Sequence, residues 1–358
     1  MKLTSHAARG TVAVASAAVL WPTVALASPA PAARADSTTP PVTVYVANSS
    51  SDTVTPISAA TNEPGKPITV GPGPHAIAVT PDGKTAYVIS GTSFEVGYVT
   101  AINTATNKAL RTIQVPGYPA DVAITPDGKT AYVTLSSSDE VIPISTATNK
   151  PGKPITVGSG PSNIAITPGG KTAYVTRPAA NEVTPIVVAT NTVLRSIPVV
   201  PGPVAIAVTP DGKTAYAADY NMGAWHTVTP ISTATNKALP AVTVGTGPFC
   251  LAITPDGKTL YVPGDGSNTV TPISTATNKA GTSITVGTDP LAIAVTPDGK
   301  TVYVTNFNEG SAGTVTPIST ATNKPGKPIT VGPGPSAIAI TPVTPGGAPT
   351  SCQHTSGQ

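Results

Sequence analysis

The chain runs to 358 residues with 20 basic and 17 acidic side chains, a net charge of +3. It is 39% hydrophobic but only 4% aromatic, and it carries 41 prolines and 33 glycines. So much proline and glycine, beside abundant valine and threonine, excludes a helical architecture and indicates a turn-dense all-β chain, although the length alone would permit two or three domains.

At the N-terminus, Lys2 and Arg9 precede an alanine-rich apolar run from Thr11 to Leu20, and Ala25-Leu26-Ala27 has the small-x-small pattern of a secretory cleavage site. A second such triplet is Ala33-Arg34-Ala35. The run is shorter than the roughly 20 apolar residues of a membrane span, and Pro22 interrupts it. Residues 1–27 are therefore expected to be a signal peptide cleaved near Ala27, and 28–41 a flexible Pro/Ala-rich leader. The mature protein is expected to be secreted, monomeric and without a membrane span. Residues 343–358 read as a flexible tail, and whether Cys352 in that tail pairs with Cys250 is left open by the sequence.

From Val42 onward one hairpin organises the chain. In Pro74 to Val88, Ile77–Thr80 and Thr85–Val88 are β-branched and aromatic runs joined by Pro81-Asp82-Gly83, a preset φ followed by turn residues. Its Thr-Pro step recurs at Thr80, Thr125, Thr167, Thr209, Thr254, Thr296 and, decayed, Thr341, at intervals of 42 or 45 residues. Each unit adds a Tyr-Val or Tyr-Ala strand, a Val-Thr-Pro-Ile type strand and a Pro-Ile-Thr-Val type strand, which makes four strands per repeat. The first unit lacks its first strand, and Pro335–Ile340 is a first strand with no unit after it. An open array would leave both fragments with exposed edges, whereas a ring lets the last strand complete the first blade. The expected fold over 42–342 is an all-β, seven-bladed β-propeller of four-stranded antiparallel blades, closed three-plus-one.

Asp-Gly-Lys-Thr-Ala-Tyr-Val-Thr, Thr305-Asn306 and Ala321-Thr-Asn-Lys324 resemble the YVTN β-propeller repeat of secreted and surface-layer proteins. The resemblance extends from Val42 to about Thr341 and implies the architecture without implying a reaction. Against it stands a proline in the third strand at Pro56, Pro143, Pro185, Pro230, Pro272 and Pro317, where a ladder donor is lost. The fourth strand is expected to be short or bulged opposite each.

Alternation of strand direction sorts the connections onto two faces. The first-to-second and third-to-fourth turns share a turn face, which with its adjacent segments carries Lys84, Lys129, Lys171, Lys213, Lys258 and Lys300, then Lys108, Lys150, Lys237, Lys279 and Lys324, with Lys66, Lys153, Lys327, Arg111 and Arg195 nearby. Repeat copying accounts for most of these lysines, and adhesion to an anionic surface is the functional alternative. The opposite loop face carries ten carboxylates, among them Asp52, Glu95, Asp121, Asp139 and Asp219, with only Arg177 against them. No aromatic residue interleaves with the basic ones, so nucleic acid is not an expected partner.

The loop face is where the copies differ. From Tyr87 to Val99, Tyr216 to Val228 and Tyr303 to Val315 the chain spans twelve positions, where the other units span nine. These loops and the blade-to-blade links hold Phe94, Tyr98, Tyr118, Tyr220, Trp225, His226, Phe249 and Phe307, the candidate ligand-binding residues. Aromatic platforms beside carboxylates suit sugars or cationic groups. At the channel mouth His75, Asp121 and Asn163 fall on consecutive blades, and there the chain is similar to propeller lactonases, whose channel residues hold a cation or a water. No Gly-x-Ser-x-Gly, His-Glu-x-x-His, Cys-x-x-Cys or phosphate loop occurs, so no metal or cofactor is expected. The leading expectation is a secreted, non-catalytic propeller that binds a carbohydrate or cell-envelope partner through the loop face. A lactonase-like hydrolase or lyase and a structural cell-surface component are the alternatives.

Overall fold

The computed structural model describes Met1 and residues 41–221, 225–308 and 312–341, with the side chains of Asn221 and Trp225 outside the description. Two units divide the chain, Met1–Thr39 and Pro40–Gln358. Apart from Met1 and Pro41, the expected signal peptide and leader, together with the expected tail, fall outside the described residues. The second unit is a ring of seven antiparallel sheets with almost no helix. No described helix is long and apolar enough to cross a membrane.

Blade 1 is built from both ends of this unit. Thr43–Asn48, Thr53–Ser58 and Ile68–Thr69 supply three strands, and Pro335–Thr341 is the fourth, paired antiparallel with Thr43–Asn48 so that Tyr45 faces Ala339. Three-plus-one closure is thus the arrangement found. Blades 2 to 7 begin their first strands at Pro74, Pro119, Ile164, Pro203, Ala252 and Pro290. Between blades the core is a stack of apolar layers. Tyr45, Val54 and Ile68 of blade 1, for example, pack with Ile77, Val88 and Ile102 of blade 2.

Each Thr-Pro-Asp-Gly-Lys turn is closed by its own side chains. Thr80 Oγ1 donates to Asp82 Oδ1 at 2.6 Å, Asp82 Oδ1 accepts from the Lys84 amide at 3.0 Å, and the Thr85 amide donates back to Thr80 Oγ1 at 3.0 Å. Gly83 takes φ +70°, the left-handed region in which a side chain would be strained. The same bonds recur at Thr125, Thr209, Thr254 and Thr296, which explains the constancy of the motif.

Proline in the third strand has the expected consequence. A strand residue's N–H and C=O point to the same side, and the Pro143 carbonyl accepts from Gly152 N on the outer side at 2.7 Å. The missing donor therefore also faces the outer strand. In response that strand breaks into Lys150–Pro151 and Ile155–Thr156. Blade 2 has Ala101 in place of the proline, and its outer strand runs unbroken through nine residues, Lys108–Pro116.

One feature of the ring was not apparent in the sequence. Each repeated tyrosine donates its hydroxyl to an asparagine in the Thr-Asn turn of the next blade. Tyr45 reaches Asn107 at 2.6 Å, Tyr87 Asn149 at 2.8 Å, Tyr132 Asn191 at 2.7 Å and Tyr174 Asn236 at 2.8 Å. Tyr216 reaches Asn278 at 2.8 Å, Tyr261 Asn323 at 2.9 Å, and Tyr303 closes the belt onto Asn62 at 2.6 Å. Asparagine tolerates the left-handed backbone, φ between 51° and 58°, that these turns require, and its amide oxygen satisfies a mostly buried hydroxyl. Burial raises Tyr45 to about 12, so the phenol stays protonated and remains a donor.

Candidate functional site

Blades 2 and 3 meet on the loop face in a clamp. Gly117 N donates to the Glu95 carbonyl at 3.0 Å. Ser137 Oγ accepts from Tyr118 N at 2.8 Å and donates to the Phe94 carbonyl at 3.2 Å. The long connection of blade 2 is therefore tied to the link and to the next blade's loop. Gly97 permits this approach, because a Cβ there would meet Pro119 Cδ at 2.0 Å.

On this clamp three rings run in contact from a buried position to an exposed one. His75 stacks on Tyr118 with centroids 5.0 Å apart and planes 4° apart, and Phe94 leans on the same Tyr118 at 5.8 Å and 46°. His75 is 3% exposed, whereas Phe94 is 69% exposed. His75 Nδ1 lies 2.7 Å from the Gly73 carbonyl and Nε2 lies 2.8 Å from the Pro119 carbonyl. Burial pulls its pKa below the ordinary value, and the Pro119 and Gly73 carbonyls push it upward without overcoming burial. The neutral ring can donate to only one of the two carbonyls.

Of the three channel-mouth candidates, Asp121 and Asn163 are directly joined. Asp121 Oδ2 accepts from Asn163 Nδ2 at 2.6 Å and from Ile164 N at 2.9 Å, and Asn163 Oδ1 accepts from Ile206 N at 2.9 Å. Asp121 is 0% and Asn163 1% exposed. Side chain and backbone thus form a relay from blade 3 through blade 4 to blade 5. Ser336 closes the ring in a similar way, donating to the Pro74 carbonyl at 2.9 Å. Among the described residues no group of three or more His, Cys, Asp or Glu is placed to hold a metal ion. Cys250, buried at the corresponding position of blade 6, is disulfide-bonded, and Cys352 lies outside the described residues.

A second ring pair belongs to blades 5 and 6, with Tyr220 and Phe249 at 4.1 Å and 33°. Blade 5 spends its extra residues on strand rather than loop, because Thr214–Asn221 and Trp225–Ser232 are each eight residues long and pair Tyr220 with His226. Blade 2 differs, because its inner hairpin pairing stops at Ser90 and Tyr98 and its extra residues stay in the connection between them. Tyr98 lies in the strand Val96–Asn103, opposite Ser90 and Gln114, and not in a loop. The physical reason is the paired backbone, which continues until a turn residue stops it. Phe307 is half-buried, with its amide donating to the Asp289 carbonyl at 2.9 Å. The Trp225 side chain lies outside the described residues.

Part of the loop-face acidity is turn chemistry. Asp52 and Asp139 adopt left-handed backbone and accept from Gly73 N at 2.8 Å and Gly160 N at 3.0 Å. Asn181 and Asn268 do the same in blades 4 and 6 at 3.1 and 3.0 Å, so the negative charge is not required there. Glu182 is held by Arg177 at 2.9 Å.

Ring, closure and repeat define the class as the seven-bladed β-propellers. Within that class residues 99–256 match the family described as YNCE-like beta-propeller. No curated protein matches the chain. Among solved structures, Kuenenia stuttgartiensis hydrazine synthase aligns at 26% identity and TM-score 0.68, covering 78% of this chain and 92% of that one. A functionally unknown protein from Desulfotomaculum acetoxidans aligns at 20% identity and TM-score 0.71, over 83% of this chain and 98% of that one. A candidate 6-phosphogluconolactonase from Bacteroides uniformis aligns at 16% identity and TM-score 0.69, over 84% and 99%. At such identities the last two show a shared fold alone.

Proposed function

We propose that the chain is a secreted, monomeric binding propeller that recognises a carbohydrate of the cell envelope through the ring ledge of blades 2 and 3. The observation that carries this reading is Phe94, an aromatic side chain held 69% exposed at the end of a backed stack of rings. Exposing so large an apolar surface is unfavourable in an unliganded protein, whereas a pyranose can lay its C–H face on the ring. The neighbouring Glu95 carboxylate is exposed and can accept hydroxyl hydrogens. His75, Asp121 and Asn163 enter as supports of the ledge and of the ring, and no hydrolytic step is assigned to them.

A glycan array or envelope pull-down with Phe94→Ala and Tyr118→Ala tests the reading. Both variants should lose about tenfold or more in affinity, the scale of an aromatic anchor. Phe94→Ala should melt where the parent melts, because its ring is exposed. Undiminished binding in both would remove the ledge as the site.

A further inference from the structure

The turn face carries a set of cations that its own turns do not neutralise. Lys84, Lys129, Lys213, Lys258 and Lys300 each lie 3.3–3.7 Å from the aspartate two residues before them. Lys171 has no such partner, because Gly169 replaces the aspartate. The third-to-fourth turns add Lys108, Lys150, Lys237, Lys279 and Lys324, all exposed and in no ion pair among the described residues.

Placement of these turns is rigid. Within a blade the two turns are bonded, Thr104 N to the Lys84 carbonyl and Thr146 N to the Lys129 carbonyl, each at 3.0 Å. Between blades the tyrosine–asparagine belt fixes their spacing. A polyanion would therefore meet charges already set in position, and little backbone ordering would oppose binding. The positive charge also continues round the disc. Lys66, Lys153, Arg195 and Lys327 are exposed where the outer strand is interrupted, and Arg111 is exposed on the unbroken outer strand of blade 2.

We propose that the turn face and outer rim together bind a flexible anionic polymer bearing phosphate or carboxylate groups. A planar anionic membrane could touch the turn tips but not the rim at the same time, and none of the turns that carry these lysines contains an exposed aromatic residue to enter a bilayer interface. A polymer chain can follow both. This site is on the opposite face from the ring ledge and does not depend on the reading of that ledge.

Long-chain inorganic polyphosphate is the probe, with phosphatidylcholine vesicles containing phosphatidylglycerol as the second arm. Three proteins are compared with the parent: Lys108, Lys150, Lys237, Lys279 and Lys324 all to Gln; Lys66, Arg111, Lys153, Arg195 and Lys327 all to Gln; and Phe94→Ala. All the substituted cations are exposed, so circular dichroism should show an unchanged fold. Polyphosphate should bind the parent at low ionic strength and weaken steeply with salt. Each quintuple variant should lose about tenfold or more, and Phe94→Ala should lose nothing. The proposal is overturned if polyphosphate does not bind, if either quintuple variant binds as the parent does, or if vesicles bind as tightly as polyphosphate with the rim variant unimpaired.

Discussion

A chain ending at Gly334 is expected to have no stable folded monomer, whereas a chain ending at Thr341 should fold and melt cooperatively. Both lack the tail, so they differ only in Pro335–Thr341, the strand that completes blade 1. All seven of its residues are buried. Burial of Ile338 and Ile340 alone is worth roughly 3–6 kcal/mol, and the whole domain should be stable by only about 5–15 kcal/mol. Losing the strand also exposes the edge of Thr43–Asn48, which would then pair with another copy. Size-exclusion chromatography with thermal melting checks this. A monomeric, cooperatively melting chain ending at Gly334 would mean that the closing strand is an accessory.

Asp219→Asn should stabilise the protein, and increasingly so as the pH rises. Asp219 stands where blades 1 and 7 have Asn48 and Asn306. Those amides donate to pairs of threonine hydroxyls, Asn48 to Thr53 and Thr55 at 3.1 and 2.9 Å and Asn306 to Thr314 and Thr316 at 3.0 and 2.9 Å. Asp219 Oδ2 instead accepts from Thr227 at 3.0 Å and Thr229 at 2.7 Å, while its Oδ1 is buried without a hydrogen-bond partner. The residue is 0% exposed, and burial pushes its pKa up to about 7 despite the two hydroxyls. Between the unfolded value near 4 and about 7 the folded state keeps a proton that the unfolded state has released. Stability from this group therefore falls as pH rises through that window and stays low above it, by at most about 4 kcal/mol. Asparagine carries no charge and can donate to the same hydroxyls. Urea unfolding of parent and variant at pH 4 and pH 8 should show a small difference at the lower pH and a gain of a few kcal/mol at the higher one. An equal difference at both would show that Asp219 ionises freely.

The repeat arithmetic made the ring legible because four strands per unit and two orphan ends admit one closed solution. Proline in the third strand foretold the broken outer strand, since a missing donor has the same effect in every blade that carries it. Asn107 and its six equivalents were not legible as partners of tyrosine. A turn asparagine is already explained by its left-handed backbone, and nothing local shows that the preceding blade's hydroxyl sits above it. Tyr98 and His226 read as loop residues because three extra positions between landmarks do not reveal whether they extend a hairpin or a loop. His75, Asp121 and Asn163 were legible as residues of consecutive blades, but not the backbone groups that engage them, because those come from strands some 40 residues away. The ledge depended on the same kind of long-range contact. Phe94 meets Tyr118 only when the link between blades folds over the long connection.

The most direct measurement of the two-faced account is hydrogen exchange across the ring, with and without the glycan that binds the parent protein most tightly on an array. The account expects slowed exchange in the clamp around Phe94 and Gly117-Tyr118, with the turn-face amides at Lys84, Thr104 and Thr146 unchanged. Slowing confined to those turns, or no glycan bound at all, would contradict it.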